Sequence, residues 1–106
     1  PAAPVAPSNL TAAPFLGRFV NLDWQDNSAD EYGFVVARRM GTSGPFIDVG
    51  QVRPDTTTFL DQGVTGGETY TYRVRGFNEV GESTNSNEFT ITLEIGLDAR
   101  IWYLYR

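Results

Sequence analysis

The sequence predicts an all-β domain, a sandwich or a barrel. Three observations carry this expectation. Short runs alternate apolar and polar residues with period two, as half-buried strands do. Clusters of Gly, Pro, Asn, Asp and Ser separate those runs at intervals that suit strand-to-strand turns. No stretch shows a capped helical period of 3.6.

Taken in chain order, the opening Pro1-Ala2-Ala3-Pro4-Val5-Ala6-Pro7 repeats proline every third residue. Such spacing favours extended polyproline conformation, so residues 1–7 are expected to be a Pro/Ala-rich linker. Val20, Leu22 and Trp24 then interleave with Asn21 and Asp23. Phe34 and Val36 share one face of the next run, with Val35 and Ala37 on the other. Tyr70, Tyr72 and Val74 alternate with Thr71, Arg73 and Arg75, and Phe89, Ile91, Leu93 and Ile95 alternate with Thr90, Thr92 and Glu94. Turn clusters between them include Asp26-Asn27-Ser28, Gly41-Thr42-Ser43-Gly44-Pro45, Arg53-Pro54-Asp55, Gly66-Gly67 and Asn78-Glu79-Val80-Gly81.

Composition removes much of enzymology. The 106 residues hold 8 Lys+Arg against 13 Asp+Glu, a net charge of −5, and contain no cysteine, no histidine and no lysine. Thiol nucleophiles, disulfides, imidazole bases, Schiff-base lysines and Cys/His zinc sites are all excluded. An acidic balance with no cationic stripe argues against a nucleic-acid partner. No apolar run approaches the length needed to span a membrane, and no signal peptide is visible, so no membrane partner is expected.

A group of marks then falls in a recognisable order. Trp24 ends the run Val20-Asn21-Leu22-Asp23-Trp24, and a polar loop leads to Glu31-Tyr32-Gly33-Phe34-Val35-Val36. Later come Leu60-Asp61-Gln62-Gly63-Val64-Thr65-Gly66-Gly67-Glu68-Thr69-Tyr70-Thr71-Tyr72-Arg73-Val74-Arg75 and Gly76-Phe77-Asn78-Glu79-Val80-Gly81. Over about residues 7–95 the chain resembles a fibronectin type III domain, with a flavour similar to bacterial versions of that module. The resemblance implies a seven-stranded immunoglobulin-like β-sandwich over residues 8–95. Its strands are expected near residues 9–13, 19–25, 31–40, 46–52, 57–61, 69–78 and 86–94. It implies that Trp24 fills the space between the sheets, with Leu22, Val36 and Val74 as further core. Tyr70 matches the family's tyrosine corner, its hydroxyl bonding backbone in the turn over residues 64–67. Gly76 departs from the family pattern, which often has a small residue with a Cβ there; a neighbouring side chain is expected to approach it closely.

Several residues invite chemistry and are weighed against blander roles. Asp26, Ser28, Asp30 and Glu31 gather oxygen ligands that could attract calcium, but the EF-hand spacing fails at Glu31 and Ala37. The loop reads as a solvated turn with Asx hydrogen bonds, and no metal or cofactor is expected. Gly66-Gly67 precedes a strand, so it lacks the helix N-terminus that binds phosphate. Arg38, Arg39, Arg73 and Arg75 are expected on adjacent strands as a solvated face whose stems cover apolar surface; the alternative is a recognition patch with Phe77. No nucleophile or base constellation is visible, so no enzymatic activity is expected.

Residues 96–106 follow the expected last strand. Ile101, Trp102, Tyr103, Leu104 and Tyr105 form a continuous apolar and aromatic run, a hazard if left in water. This C-terminal tail is expected to be an extra strand, an interaction or self-association segment, or a remnant of engineering. The resemblance implies a non-catalytic spacer or presentation module in a larger extracellular or cell-surface protein, such as a secreted carbohydrate-active enzyme or an adhesin. Its partners would be neighbouring domains of the same polypeptide. The alternative is a protein-binding module, natural or engineered, using the tail, Phe77 or the loops at residues 26–31, 41–45 and 78–85.

Overall fold

A computed structural model describes residues 2–94. In chain order they form β1 (Ser8–Phe15), β2 (Phe19–Gln25), β3 (Gly33–Met40), β4 (Ile47–Val52), β5 (Thr58–Asp61), β6 (Thr69–Phe77) and β7 (Phe89–Thr92). Each run with period-two alternation became a strand because alternation gives a sheet one apolar face. The strands pair antiparallel in two sheets, ordered β1-β2-β5 and β4-β3-β6-β7. This is a seven-stranded immunoglobulin-like sandwich. Among the described residues no helix is long and apolar enough to cross a membrane. The tail residues Ile101, Trp102, Tyr103, Leu104 and Tyr105, and Ile95 before them, lie outside the described residues.

The two apolar faces meet in one core. Val20, Leu22 and Trp24 of β2 face Phe34 and Val36 of β3 and Tyr70, Tyr72 and Val74 of β6, with Leu10 and Leu93 closing the ends. Burying such a side chain fully contributes about 1.5–3 kcal/mol, so these ten dominate the driving force for folding. The Trp24 ring meets Phe34 edge to face, with centroids 5.7 Å apart and an interplanar angle of 66°. That is the geometry aromatic quadrupoles favour. At the tyrosine corner the Thr65 N–H donates to the Tyr70 hydroxyl at 2.9 Å. Gly67, at a φ of 89°, turns the chain there into β6.

Two segments differ from expectation. Residues 2–7 have no regular secondary structure, yet Pro4 and Pro7 are buried. Asn27 Nδ2 donates to the Ala6 carbonyl and Asn78 Nδ2 to the Ala2 carbonyl, each at 2.9 Å. The proline-rich start therefore lies docked on the sandwich, where burial removes the apolar proline rings from water. The close neighbour of Gly76 is Pro4 from this segment, 3.4 Å from where a Cβ would stand.

The last strand is shorter than the expected span of residues 86–94. Upstream of it, serine hydroxyls take over the ladder. Val74 N–H donates to Ser86 Oγ at 3.0 Å and Gly76 N–H to Ser83 Oγ at 2.8 Å. The Ser86 and Ser83 N–H groups return bonds to the carbonyls of the same two residues, each at 2.8 Å. On the opposite side, Asn87 Oδ1 accepts from Leu10 N–H at 2.9 Å and its Nδ2 donates to Leu10 O at 3.1 Å. The segment thus bridges β6 and β1, and so the two sheets.

Candidate interaction surfaces

The sheet registers bring four features to one pole of the sandwich. These are the start of β1 and the connections β2–β3, β4–β5 and β6–β7. In the first connection Ser28 N–H bonds Asp26 Oδ1 at 2.9 Å, an Asx turn of the kind expected for a solvated loop. Ser28 Oγ donates to Asp30 Oδ1 at 2.5 Å. The structure divides the expected oxygen cluster differently, however. Ser28 and Asp30 bond each other at the rim, whereas Glu31 turns inward and is buried. Its carboxylate joins those of Asp26 and Asp55, one oxygen from each lying within 4.8 Å of the others. Asp55 comes from the β4–β5 turn, holds a φ of 62°, and donates its N–H to Glu31 Oε2 at 2.8 Å. Burial pushes the Glu31 carboxyl upward, the Asp55 N–H pulls it back, and the nearby Asp26 carboxylate pushes it up again.

Beside this cluster stands Tyr32, 53% exposed, with Val80 also exposed. The Tyr32 hydroxyl donates to Glu79, and that bond raises its pKa. Tyr32, Val80, Asn78 and Asp30 share a shallow concavity with Ala2. Sequence reading did not single out Tyr32; its signal was an aromatic four residues after the Asp26-Asn27-Ser28 turn cluster, just outside the alternating run.

The outer face of the four-stranded sheet carries the arginines. Arg73 lies opposite Ala37, and Arg75 opposite Val35. Arg39 and Arg73 both stack on the Phe46 ring, with guanidinium carbons 4.6 and 3.9 Å from its centroid. Ala37 lies on this outer face with Arg73 and Asp48 as cross-strand partners, and it is only 1% exposed. Arginine stems covering apolar surface explain that burial. Arg75 is held by Asp48 through both terminal nitrogens at 3.0 Å and by Glu82 through Nε at 3.0 Å. The Arg75 guanidinium holds the Asp48 carboxyl below the usual carboxylate range. Phe77 is half-buried and lines an open concavity with Val35, Asp48, Gln51 and Arg75.

Arg38 leaves this patch. It follows the alternation inward and binds Asp61 across the sandwich at 2.6 Å, with Asp61 only 3% exposed. Trp24, Tyr70, Leu22, Val36 and Val74 are all buried, so none of them faces a surface that could meet a partner.

Comparison with known proteins adds to this geometry. No protein-family profile matches the chain. A titin homolog of Caenorhabditis elegans is 32% identical over 84 residues, 76% of this chain. The chain spans a negligible share of that relative, 0% to the nearest percent. Among solved structures, an Fn3-like protein from Clostridium thermocellum is 28% identical, with a TM-score of 0.71 over 84% of this chain and 92% of that one. A three-domain stretch of titin, A168 to A170, gives a TM-score of 0.75 at 23% identity, covering 87% of this chain and 33% of that chain. The sheet order β1-β2-β5 over β4-β3-β6-β7, the corner at Tyr70 and these likenesses identify residues 2–94 as a fibronectin type III domain.

Proposed function

We propose that the domain is a non-catalytic spacer that holds neighbouring domains of a larger extracellular or cell-surface polypeptide at a fixed separation and orientation. The observation that carries this reading is the position of the two ends of the described span, Ala2 and Leu93. Ala2 is bonded to Asn78, just past the end of β6. Leu93 exchanges backbone bonds with Gly67 and Glu68, just before β6 begins. The nine residues of β6 lie between these points, so entry and exit sit on opposite poles. At a rise of about 3.3 Å per residue they are about 26 Å apart along the strand. A stiff module traversed end to end spaces its neighbours, whereas one entered and left at the same pole would not. The titin likeness supports the reading, since the matched domain there forms one third of a multi-domain chain. A secreted carbohydrate-active enzyme or an adhesin is the setting we favour, on the strength of the bacterial-type resemblance.

A second reading, protein binding or self-association, is favoured by the exposed Tyr32 and Val80 at the entry pole. The aromatic run at Ile101, Trp102, Tyr103, Leu104 and Tyr105 adds to it. The test screens residues 1–106 and residues 1–94 against glycan and protein panels, alongside a dilution series by analytical ultracentrifugation. Spacer function requires no ligand for either form. Saturable binding or dimerisation by either form replaces it with the second reading; its loss in residues 1–94 assigns the contact to the tail, and its persistence assigns it to the Tyr32 and Val80 pole.

A further inference from the structure

We propose that Asp26, Glu31 and Asp55 form a calcium site at the entry pole of the sandwich. Three carboxylates converge there, with one oxygen of each within 4.8 Å of the other two. Among the described residues no ion pair links any of the three to a cation. Convergence of acids alone would mean little, but Glu31 adds a separate observation. It is only 5% exposed, and its Oε1 has no hydrogen-bond partner. A buried carboxylate with a free oxygen, beside two more carboxylates, carries a desolvation cost that the backbone N–H groups of Asp55 and of Glu31 itself do not offset. A bound cation offsets it directly.

The donor chemistry selects the ion. All three donors are hard oxygens, and the chain contains neither cysteine nor histidine to favour a softer metal. Calcium–oxygen distances of about 2.3–2.6 Å allow ligands on one ion to stand up to about 5 Å apart, and these oxygens lie within 4.8 Å of one another. Magnesium demands near-ideal octahedral geometry and dehydrates reluctantly, so a site shared between two loops suits it less well. Waters and nearby carbonyls would complete the shell. Asp26 and Glu31 come from the β2–β3 connection and Asp55 from the β4–β5 turn, so the ion would tie loops from both sheets.

The full 106-residue chain, stripped with EDTA, is melted by circular dichroism in 10 mM calcium, 10 mM magnesium, or potassium chloride of equal ionic strength. Isothermal titration with calcium chloride is run in parallel. Calcium is expected to raise the melting temperature by about 5 °C or more and to bind one site per chain with a Kd at or below about 1 mM. Magnesium is expected to give less than half that shift. Asp55→Asn keeps a residue that tolerates positive φ, so it should fold while losing the calcium shift. Glu31→Gln keeps an acceptor for the Asp55 N–H, and its metal-free form should melt no lower than the stripped parent while losing the response. Absence of both binding and shift overturns the site, as does a shift equal to that of magnesium or potassium. A calcium shift that persists in both variants also overturns it.

Discussion

At Asp61 a single carboxylate holds three donors from different parts of the chain. Arg38 Nη1 reaches Oδ2 at 2.6 Å, the Tyr72 hydroxyl reaches the same oxygen at 2.7 Å, and Gly63 N–H reaches Oδ1 at 3.0 Å. Arg38 and Tyr72 belong to the four-stranded sheet and Asp61 to the three-stranded one, so the cluster clamps the two layers without a disulfide. Removing one partner of such a buried pair costs more than removing both, because the other charge is left behind. Asp61→Ala should therefore lose about 3 kcal/mol in urea unfolding, and Arg38→Met with Asp61→Leu together should lose less. A single-variant loss below about 1 kcal/mol would show that the clamp carries little of the stability. The same cluster sets an alkaline limit. Burial, and then the bond to Asp61, push the Tyr72 hydroxyl well above the ordinary tyrosine range. A raised folded pKa means the contribution is whole below the unfolded value, about 10, and is lost as pH climbs above it. Unfolding curves from pH 8 to 12 should show a level contribution from this group up to about pH 10, then a steep fall in the parent and a shallower one in Tyr72→Phe. Parallel slopes would count against this account. The alternation of β3 already placed Arg38 inward with Val36, and only its charge suggested an outer patch. Asp61 sat in the sequence as the end of a short run, with nothing to mark its distant partners.

Among the elements, β2 was legible to the residue, since Phe19–Gln25 alternates cleanly between two turn signals. The last strand was not, and the reason is chemical. Upstream of β7, Ser83, Ser86 and Asn87 satisfy the β6 and β1 backbone with side-chain oxygens and amides, which carry no apolar alternation to read. A polar run such as residues 82–87 looks the same whether it floats in water or completes a ladder. The acidic cluster was half legible for a similar reason. Asp26 and Glu31 share one loop, but Asp55 is 24 residues beyond Glu31 and arrives only through the register of β4 and β5. Ser86→Ala leaves the buried Val74 N–H without its acceptor, so it should cost about 1–3 kcal/mol. Amide exchange gives the sharper readout: the Val74 N–H should exchange markedly faster in Ser86→Ala while the Val36 N–H keeps its protection. Unchanged protection at Val74 would mean that the serine bond contributes nothing to the ladder.

For the molecule as a whole, the decisive question is where the domain starts. Proline every third residue reads as a free-standing spacer, and that spacing cannot reveal whether a groove awaits it. In the structure Pro4 and Pro7 are buried, and Asn27 and Asn78 fasten the carbonyls of Ala6 and Ala2. Asn27 Nδ2 also reaches Ser8 Oγ at 2.9 Å, so the β2–β3 loop grips the chain on both sides of Pro7. A docked entry has a mechanical consequence for a spacer. The direction in which the chain arrives is set by the sandwich, not by a flexible joint, and an upstream neighbour would inherit that direction. Deleting residues 1–7 should then remove part of the fold. Two buried prolines and the bonded carbonyls of Ala2 and Ala6 contribute about 2 kcal/mol, which in a domain of this size lowers the melting temperature by about 10 °C when lost. Pro4→Ala alone should give a smaller drop, since it removes only the outer ring carbons and keeps the Cβ that lies beside Gly76. A truncated domain that melts with the parent would return residues 1–7 to the role of a plain linker, and with it the expectation that the upstream neighbour swings freely.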